Sequence, residues 1–130
     1  MNEIQIPISP GELLDKITIL QIKAERITDP VKVTNVKTEL EMLTRVWDQA
    51  VEADAEITAL TAELKSINES LWELEDDIRD EERNKRFGDR FIELARAVYV
   101  TNDERANAKK KVNLHLNSTI VEEKSYQDYK

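Results

Sequence analysis

Three polar residues interrupt an apolar line on a predicted helix in the last third of the chain. The line advances in alternating steps of four and three residues and consists of Val98, Asn102, Arg105, Lys109, Val112 and Leu116. Such a face normally points into the core, where an unpaired charge is costly. It therefore either meets opposite charge or lines a polar pocket. The predicted source of that charge is the acidic run Glu73, Glu75, Asp76, Asp77 and Asp80.

A second polar stripe with the same spacing lies on the preceding predicted helix. It consists of Asn68, Trp72, Glu75, Arg79, Glu82 and Arg86. Glutamate stands four residues before arginine twice, which is the favourable order for ion pairs along a helix. The stripe is either a solvated ladder of ion pairs or the charged wall of a cleft with Trp72 as its apolar floor.

The first predicted helix is mostly apolar but carries Glu12, Asp15 and Lys16. Ser9 with Glu12 fits a capping box, Asp15 favours the helix dipole, and the Lys16 side chain is expected to reach solvent or the pocket. The candidate ligand-binding residues are therefore Lys16, Trp72, Glu75, Arg79, Asn102, Arg105 and Lys109. A non-catalytic binding or assembly module without a cofactor is the leading hypothesis, with a small anionic ligand or a protein as the partner.

The alternative is a small Mg²⁺-dependent hydrolase that resembles the all-α nucleotide pyrophosphohydrolases. Those enzymes place Glu-x-x-Glu on one helix and Glu-x-x-Asp on another. No two glutamates of this chain stand three residues apart, and only the second half of the pattern occurs, at Glu73 and Asp76 and at Glu12 and Asp15. The candidate metal ligands are Glu75, Asp76 and Asp103, because Mg²⁺ prefers carboxylate oxygens and water.

The elements that must position these residues are helices. The 130 residues include only 2 glycines and 3 prolines, too few for a turn-rich fold. The pattern predicts one all-α domain over residues 1–130, a bundle of four to five helices with an extended arm at 1–8 and a polar tail at 118–130. Breaks are predicted at Asp29-Pro30, within Glu52–Glu56 and at Phe87-Gly88-Asp89, and the last helix either continues through Asn102 or restarts there.

A heptad seam predicts how two of these helices pack. Its members are Ile57, Leu60, Leu64, Ile67, Leu71, Leu74 and Ile78. We expect the helices on either side of Glu52–Glu56 to form a long antiparallel hairpin, and the seam favours a homodimer.

Charge and composition exclude several classes of protein. The net charge of −8 disfavours nucleic acid and anionic membranes as partners. The chain has no cysteine and one histidine, which excludes thiolate metal sites, cysteine nucleophiles and sites that need two imidazoles. Without a long apolar run or a signal-peptide pattern, a soluble cytoplasmic protein is expected.

Four sequence blocks resemble a bacterial and marine family of unknown function, domain of unknown function 6165. The blocks are Ser9–Leu20, Asn68–Arg79, Phe91–Ala106 and Glu123–Tyr126. The resemblance covers nearly the whole chain and implies no activity, substrate or cofactor. Members look like neighbours of, or fusions to, glycosyltransferase-type proteins, which implies a link to surface-polysaccharide biosynthesis.

Overall fold

The computed structural model describes residues 2–130, which form four α-helices. They are α1 (Pro10–Arg26), α2 (Pro30–Ala50), α3 (Ala55–Arg83) and α4 (Asp89–His115). Residues 2–130 contain no strand, so the all-α prediction is confirmed. The last helix is continuous through Asn102 and does not restart there, so the described residues form four helices and not five.

Side-chain caps set where the first three helices begin. The Ser9 hydroxyl accepts a hydrogen bond from the Glu12 amide, and the Asp54 carboxylate accepts one from the Ile57 amide. Asp29 caps α2 in the same way, with Pro30 as the first helical residue. These contacts satisfy amides that the first turn of a helix leaves without partners, so the breaks fall where the sequence predicts them.

The two ends of the described chain have no regular secondary structure. The arm before α1 leaves Ile4 and Ile6 exposed. The tail after α4 runs back along that helix: the carboxylate of Glu123 accepts from Lys110, and farther along Tyr129 donates to Asp103. Both ends therefore lie on the surface of the bundle, and the tail is fixed mainly by polar contacts.

Helices α3 and α4 pack antiparallel, with α1 against both. The direction follows from ion pairs that join Arg90 to Asp77 and Lys111 to Glu63. The shared core is apolar and consists of Leu14, Ile57, Leu60, Leu64, Ala108 and Val112. Burial of these side chains provides most of the stabilisation and holds the three helices in fixed register.

The predicted hairpin between α2 and α3 is not found. As described, α2 and α3 have no Cα atoms within 8 Å of each other, and α2 packs against α1. Val36 is the only buried residue of α2 in the described chain, although the partly buried Trp47 packs against the shared core. The seam on α3 is covered by α1 and α4 instead, because a heptad pattern specifies an apolar stripe without specifying what packs on it.

Gly11 lets the start of α1 approach α4 closely. A Cβ atom at this position would lie 2.3 Å from the backbone oxygen of Lys109 and 2.8 Å from Oδ1 of Asn113. The Gly11 amide instead donates a 2.7 Å hydrogen bond to that Oδ1. This approach brings the polar residues of α1 next to those of α4.

None of the helices within residues 2–130 combines the length and the apolar character that crossing a membrane requires.

Candidate functional site

A buried carboxylate lies where α1 crosses α4. Asp15 is only 1% exposed and forms a two-pronged ion pair with Arg105. Nε of Arg105 lies 2.9 Å from Oδ1 of Asp15, and Nη2 lies 2.5 Å from Oδ2. This fork geometry fixes the plane of the guanidinium as well as its position.

Helix α3 contributes an amide to the same carboxylate. Nδ2 of Asn68 donates to Oδ1 of Asp15 at 2.9 Å and to the Thr18 hydroxyl at 3.0 Å. The hydroxyl in turn donates to the Asp15 backbone oxygen at 2.9 Å. Three helices therefore meet in one hydrogen-bonded group, which we call the Asp15 network: Asp15, Thr18, Asn68, Arg105 and Lys109.

Lys109 connects the network to the helix start and the tail. Its ammonium lies 2.5 Å from Oε2 of Glu12 and 3.9 Å from Oδ2 of Asp15. One turn farther along, the Asn113 side chain donates to Glu122 of the tail, whose carboxylate also accepts from Ser9. The polar face of α4 is thus paired with acidic groups of α1 and the tail.

These contacts keep both members of the central pair charged. Burial raises the pKa of the Asp15 carboxyl, but the hydrogen bonds from Arg105 and Asn68 and the charges of Arg105 and Lys109 outweigh it, and the pKa falls below its usual value. The hydrogen bond to Asp15 raises the pKa of Arg105. A permanently charged pair is suited to binding and positioning, whereas acid–base catalysis needs a pKa near the working pH.

An open groove of about 470 Å³ lies beside the network, between α1, α3 and α4. Its apolar floor includes Ile22, Leu71 and Trp72, and its polar rim is formed by Lys23, Asn68, Glu75, Asp76, Arg79, Asn102 and Arg105. Arg79 pairs with Glu75 at the exposed edge. Lys23 has no carboxylate within 4 Å in the described part of the chain. The groove therefore combines an apolar floor with cationic, acidic and amide groups.

The groove brings together Trp72, Glu75, Arg79, Asn102 and Arg105 of the residues predicted from the sequence. Lys16 does not belong to it: its side chain is half exposed and lies 3.8 Å from Glu12. Lys109 lines a separate cavity of about 260 Å³ between α4 and the tail. Arg105 and Asn102 line both cavities and so stand between them.

The structure does not bring the three candidate metal ligands together. Glu75 and Asp76 line the groove, and Glu75 is paired with Arg79. Asp103 lies under the tail, where Lys124 and Tyr129 donate to it at 2.9 and 2.6 Å. Within residues 2–130 no group of three or more His, Asp or Glu side chains is placed to hold a metal ion.

The source of opposite charge is different from the predicted one. Arg105 and Lys109 meet Asp15 and Glu12 of α1, and not the acidic run of α3. Sequence reasoning also left out Lys23 and Asn68 as candidate ligand-binding residues. The sequence does contain a sign that Asp15 is buried. This residue lies between Leu14 and Ile17, in a helix that is apolar over most of its circumference.

Comparison with known proteins identifies a family. The model described as "Family of unknown function (DUF6165)" matches residues 4–129, and the chain belongs to that family. No curated protein and no solved structure matches the chain.

Proposed function

We propose that this member of the family is a non-catalytic binding module whose groove takes a small anionic ligand with an apolar portion. One observation carries the proposal: Arg105, at the wall of the groove, is held by the buried carboxylate of Asp15. Two nitrogens of its guanidinium face Asp15. The third, Nη1, has only a 3.5 Å contact with Oδ1 of Asn102.

A guanidinium fixed in this way is ready to bind an anion. Its side chain is 30% exposed, so it can reach a ligand without leaving Asp15. Because the side chain is already ordered, binding loses little rotamer entropy. Among the described residues, Lys23 adds an unpaired positive charge to the rim, which also carries the Arg79–Glu75 pair and Asp76. Trp72 with Leu71 offers an apolar surface for the rest of the ligand.

Fluorescence of Trp72 provides a direct test. The chain has two tryptophans, and Trp47→Phe leaves Trp72 as the only indole. Titration of that variant with cyclohexanecarboxylate should change the fluorescence in a saturable way. Cyclohexanemethanol has the same ring without the charge, and we expect it to bind at least about tenfold more weakly, as for the loss of one charge-assisted hydrogen bond.

A matched pair of variants assigns the effect to the groove. Arg79→Gln removes a cation from the rim, and Arg83→Gln removes one from the same helix outside the groove. The first should weaken binding of cyclohexanecarboxylate about threefold to tenfold, and the second should leave it unchanged. Equal binding of the acid and the alcohol would overturn the proposal.

A further inference from the structure

We infer that the ligand of the groove is an α-hydroxy carboxylate, in which a hydroxyl group stands on the carbon next to the carboxylate. The inference rests on the proposed function and specifies its ligand class. It follows from the orientation of one buried amide and from the place of that amide beside Arg105.

The orientation of the Asn68 side chain is fixed by its partners. The Asp15 carboxylate can only accept hydrogen bonds, and the Thr18 hydroxyl has already given its hydrogen to the Asp15 backbone oxygen. Both atoms must therefore face the NH₂ group of Asn68, which lies 2.9 and 3.0 Å from them. Oδ1 is left as the free end of the amide.

That oxygen is an unused acceptor at the wall of the groove. Asn68 is 95% buried and lines the groove, and no donor within the described residues reaches its Oδ1. No fully enclosed side-chain polar atom in residues 2–130 lacks a partner, so this oxygen is not fully enclosed, and the groove is the cavity that Asn68 lines. A ligand that fills the groove has to donate a hydrogen bond here or leave a desolvated acceptor unpaired, which is unfavourable.

The acceptor lies next to the cation. Nδ2 of Asn68 and Nε of Arg105 are each 2.9 Å from the same oxygen of Asp15, so the two side chains stand side by side. Because both side chains also line the groove, the group next to a carboxylate bound at Arg105 is the part of the ligand that can reach Asn68. A carboxylate has no hydrogen to donate at neutral pH, whereas a hydroxyl on the adjacent carbon does.

A hydroxyl fits this place better than an ammonium group. An ammonium would carry a second positive charge beside the fixed guanidinium of Arg105. It would also bring three donors to the single free acceptor of Asn68. Glu75 and Asp76 also line the groove, and Glu75 is already paired with Arg79, so an amino analogue of the ligand tests whether these carboxylates favour an ammonium. The hydroxyl keeps one lone pair for Nδ2 of Asn102, which has no acceptor within the described chain.

Three ligands with one ring separate these possibilities. In the Trp47→Phe variant, 1-hydroxycyclohexanecarboxylate should bind at least about tenfold more tightly than cyclohexanecarboxylate. The 1-amino analogue should bind no more tightly than cyclohexanecarboxylate. The Asn68→Ala variant is tested in the same way once circular dichroism shows that it is folded. It should bind 1-hydroxycyclohexanecarboxylate and cyclohexanecarboxylate with about equal affinity.

The outcomes distinguish this inference from the proposed function. Tight binding of cyclohexanecarboxylate with no gain from the hydroxyl, or with an equal gain from the amine, overturns the inference and leaves the anion site in place. No response of Trp72 to any of the three carboxylates overturns both. The ligand series decides the matter even where Asn68→Ala fails to fold.

Discussion

Asp15 is the buried counterion of Arg105 and lies close to Lys109, the two cations on the inner face of α4. Removing the charge of a buried residue leaves its partner desolvated and unpaired, which typically costs 3–5 kcal/mol. Asn68 and Lys109 share the same carboxylate, so the loss at Asp15 spreads over all three helices. The ion pair therefore maintains the geometry of the groove in addition to any stability that it provides.

Asp15→Asn should lower the free energy of unfolding by about 3 kcal/mol, because the partly buried guanidinium of Arg105 loses its counterion. Urea denaturation followed by circular dichroism measures the change. Asp48→Asn is the matched control, since Asp48 is exposed on α2 and makes no ion pair within residues 2–130. A loss at Asp15 no larger than that at Asp48 would contradict a structural role for the carboxylate.

The depressed pKa of Asp15 predicts how stability depends on pH. The pKa of the Asp15 carboxyl is lower in the folded protein than its ordinary value of 3.8. Such a group stabilises the fold at pH values above 3.8. This contribution is lost as the pH falls through the pKa of the folded state. The pKa of Glu122 is also lowered, against the opposing effect of burial, by its hydrogen bonds with Ser9 and Asn113.

The wild-type protein should therefore lose stability steeply below about pH 4. Asp15→Asn should show a shallower loss over the same range in a series of urea titrations, because one titrating group is gone. Parallel curves for the two proteins would show that Asp15 does not titrate at a depressed pKa.

At the scale of elements, the close contact of α1 with α4 depends on the absence of a side chain at Gly11. Gly11→Ala should cost about 2 kcal/mol, because the new Cβ meets a backbone oxygen that can move only with α4. A thermal melt measures this loss.

Gly88→Ala is the control for that substitution. A Cβ atom there meets nothing within 4 Å, and the backbone φ of −86° suits alanine. Alanine restricts the unfolded chain, which stabilises the fold, but it is a poorer N-cap residue than glycine, which destabilises the helix. Because these effects oppose each other, the net change in the free energy of unfolding should be small. Equal effects at Gly11 and Gly88 would mean that the helices can separate freely.

The tail is attached to the bundle by two partly buried hydrogen bonds of Glu122 and by several exposed contacts. Glu122→Gln should loosen residues 118–130, because the carboxylate holds Ser9 and Asn113 together. Glu123→Gln removes only an exposed contact with Lys110. Limited proteolysis should cleave the first variant faster than the second, and identical cleavage rates would contradict this role.

Helix boundaries were predictable because they depend on local chemistry. Ser9, Asp29 and Asp54 cap helices with groups only two or three residues away. Contacts between distant segments were not predictable in the same way. Asp15 and Arg105 are 90 residues apart, and within α1 alone an aspartate in an early turn is explained by the helix dipole.

Part of the groove was predictable from the sequence. Trp72 and Arg79 share one face of α3, and Asn102 and Arg105 share one face of α4, so helical spacing groups each pair correctly. Helical spacing does not reveal which helix covers which face. For that reason the predicted α2–α3 hairpin is wrong, and so is the prediction that the acidic run of α3 pairs with Arg105.

The homodimer remains a prediction, and the exposed apolar residues of α2 are one surface on which it could form. The α3 seam is covered within the chain, whereas α2 exposes Val31, Met42 and Val46. We expect a dimer in sedimentation velocity at tens of micromolar and a shift to monomer in Val46→Glu. A wild-type species with the mass of a single chain would contradict the prediction.

The NMR signal of the Arg105 side-chain Nε–H shows whether Asp15 holds the guanidinium at the wall of the groove. Its hydrogen bond to Asp15 predicts a resolved signal that exchanges slowly with water, disappears in Asp15→Asn and shifts when 1-hydroxycyclohexanecarboxylate is added. Two results would contradict this arrangement. One is a signal that exchanges as fast as those of the exposed Arg45 and Arg83, and the other is a chemical shift that stays unchanged when the ligand is added.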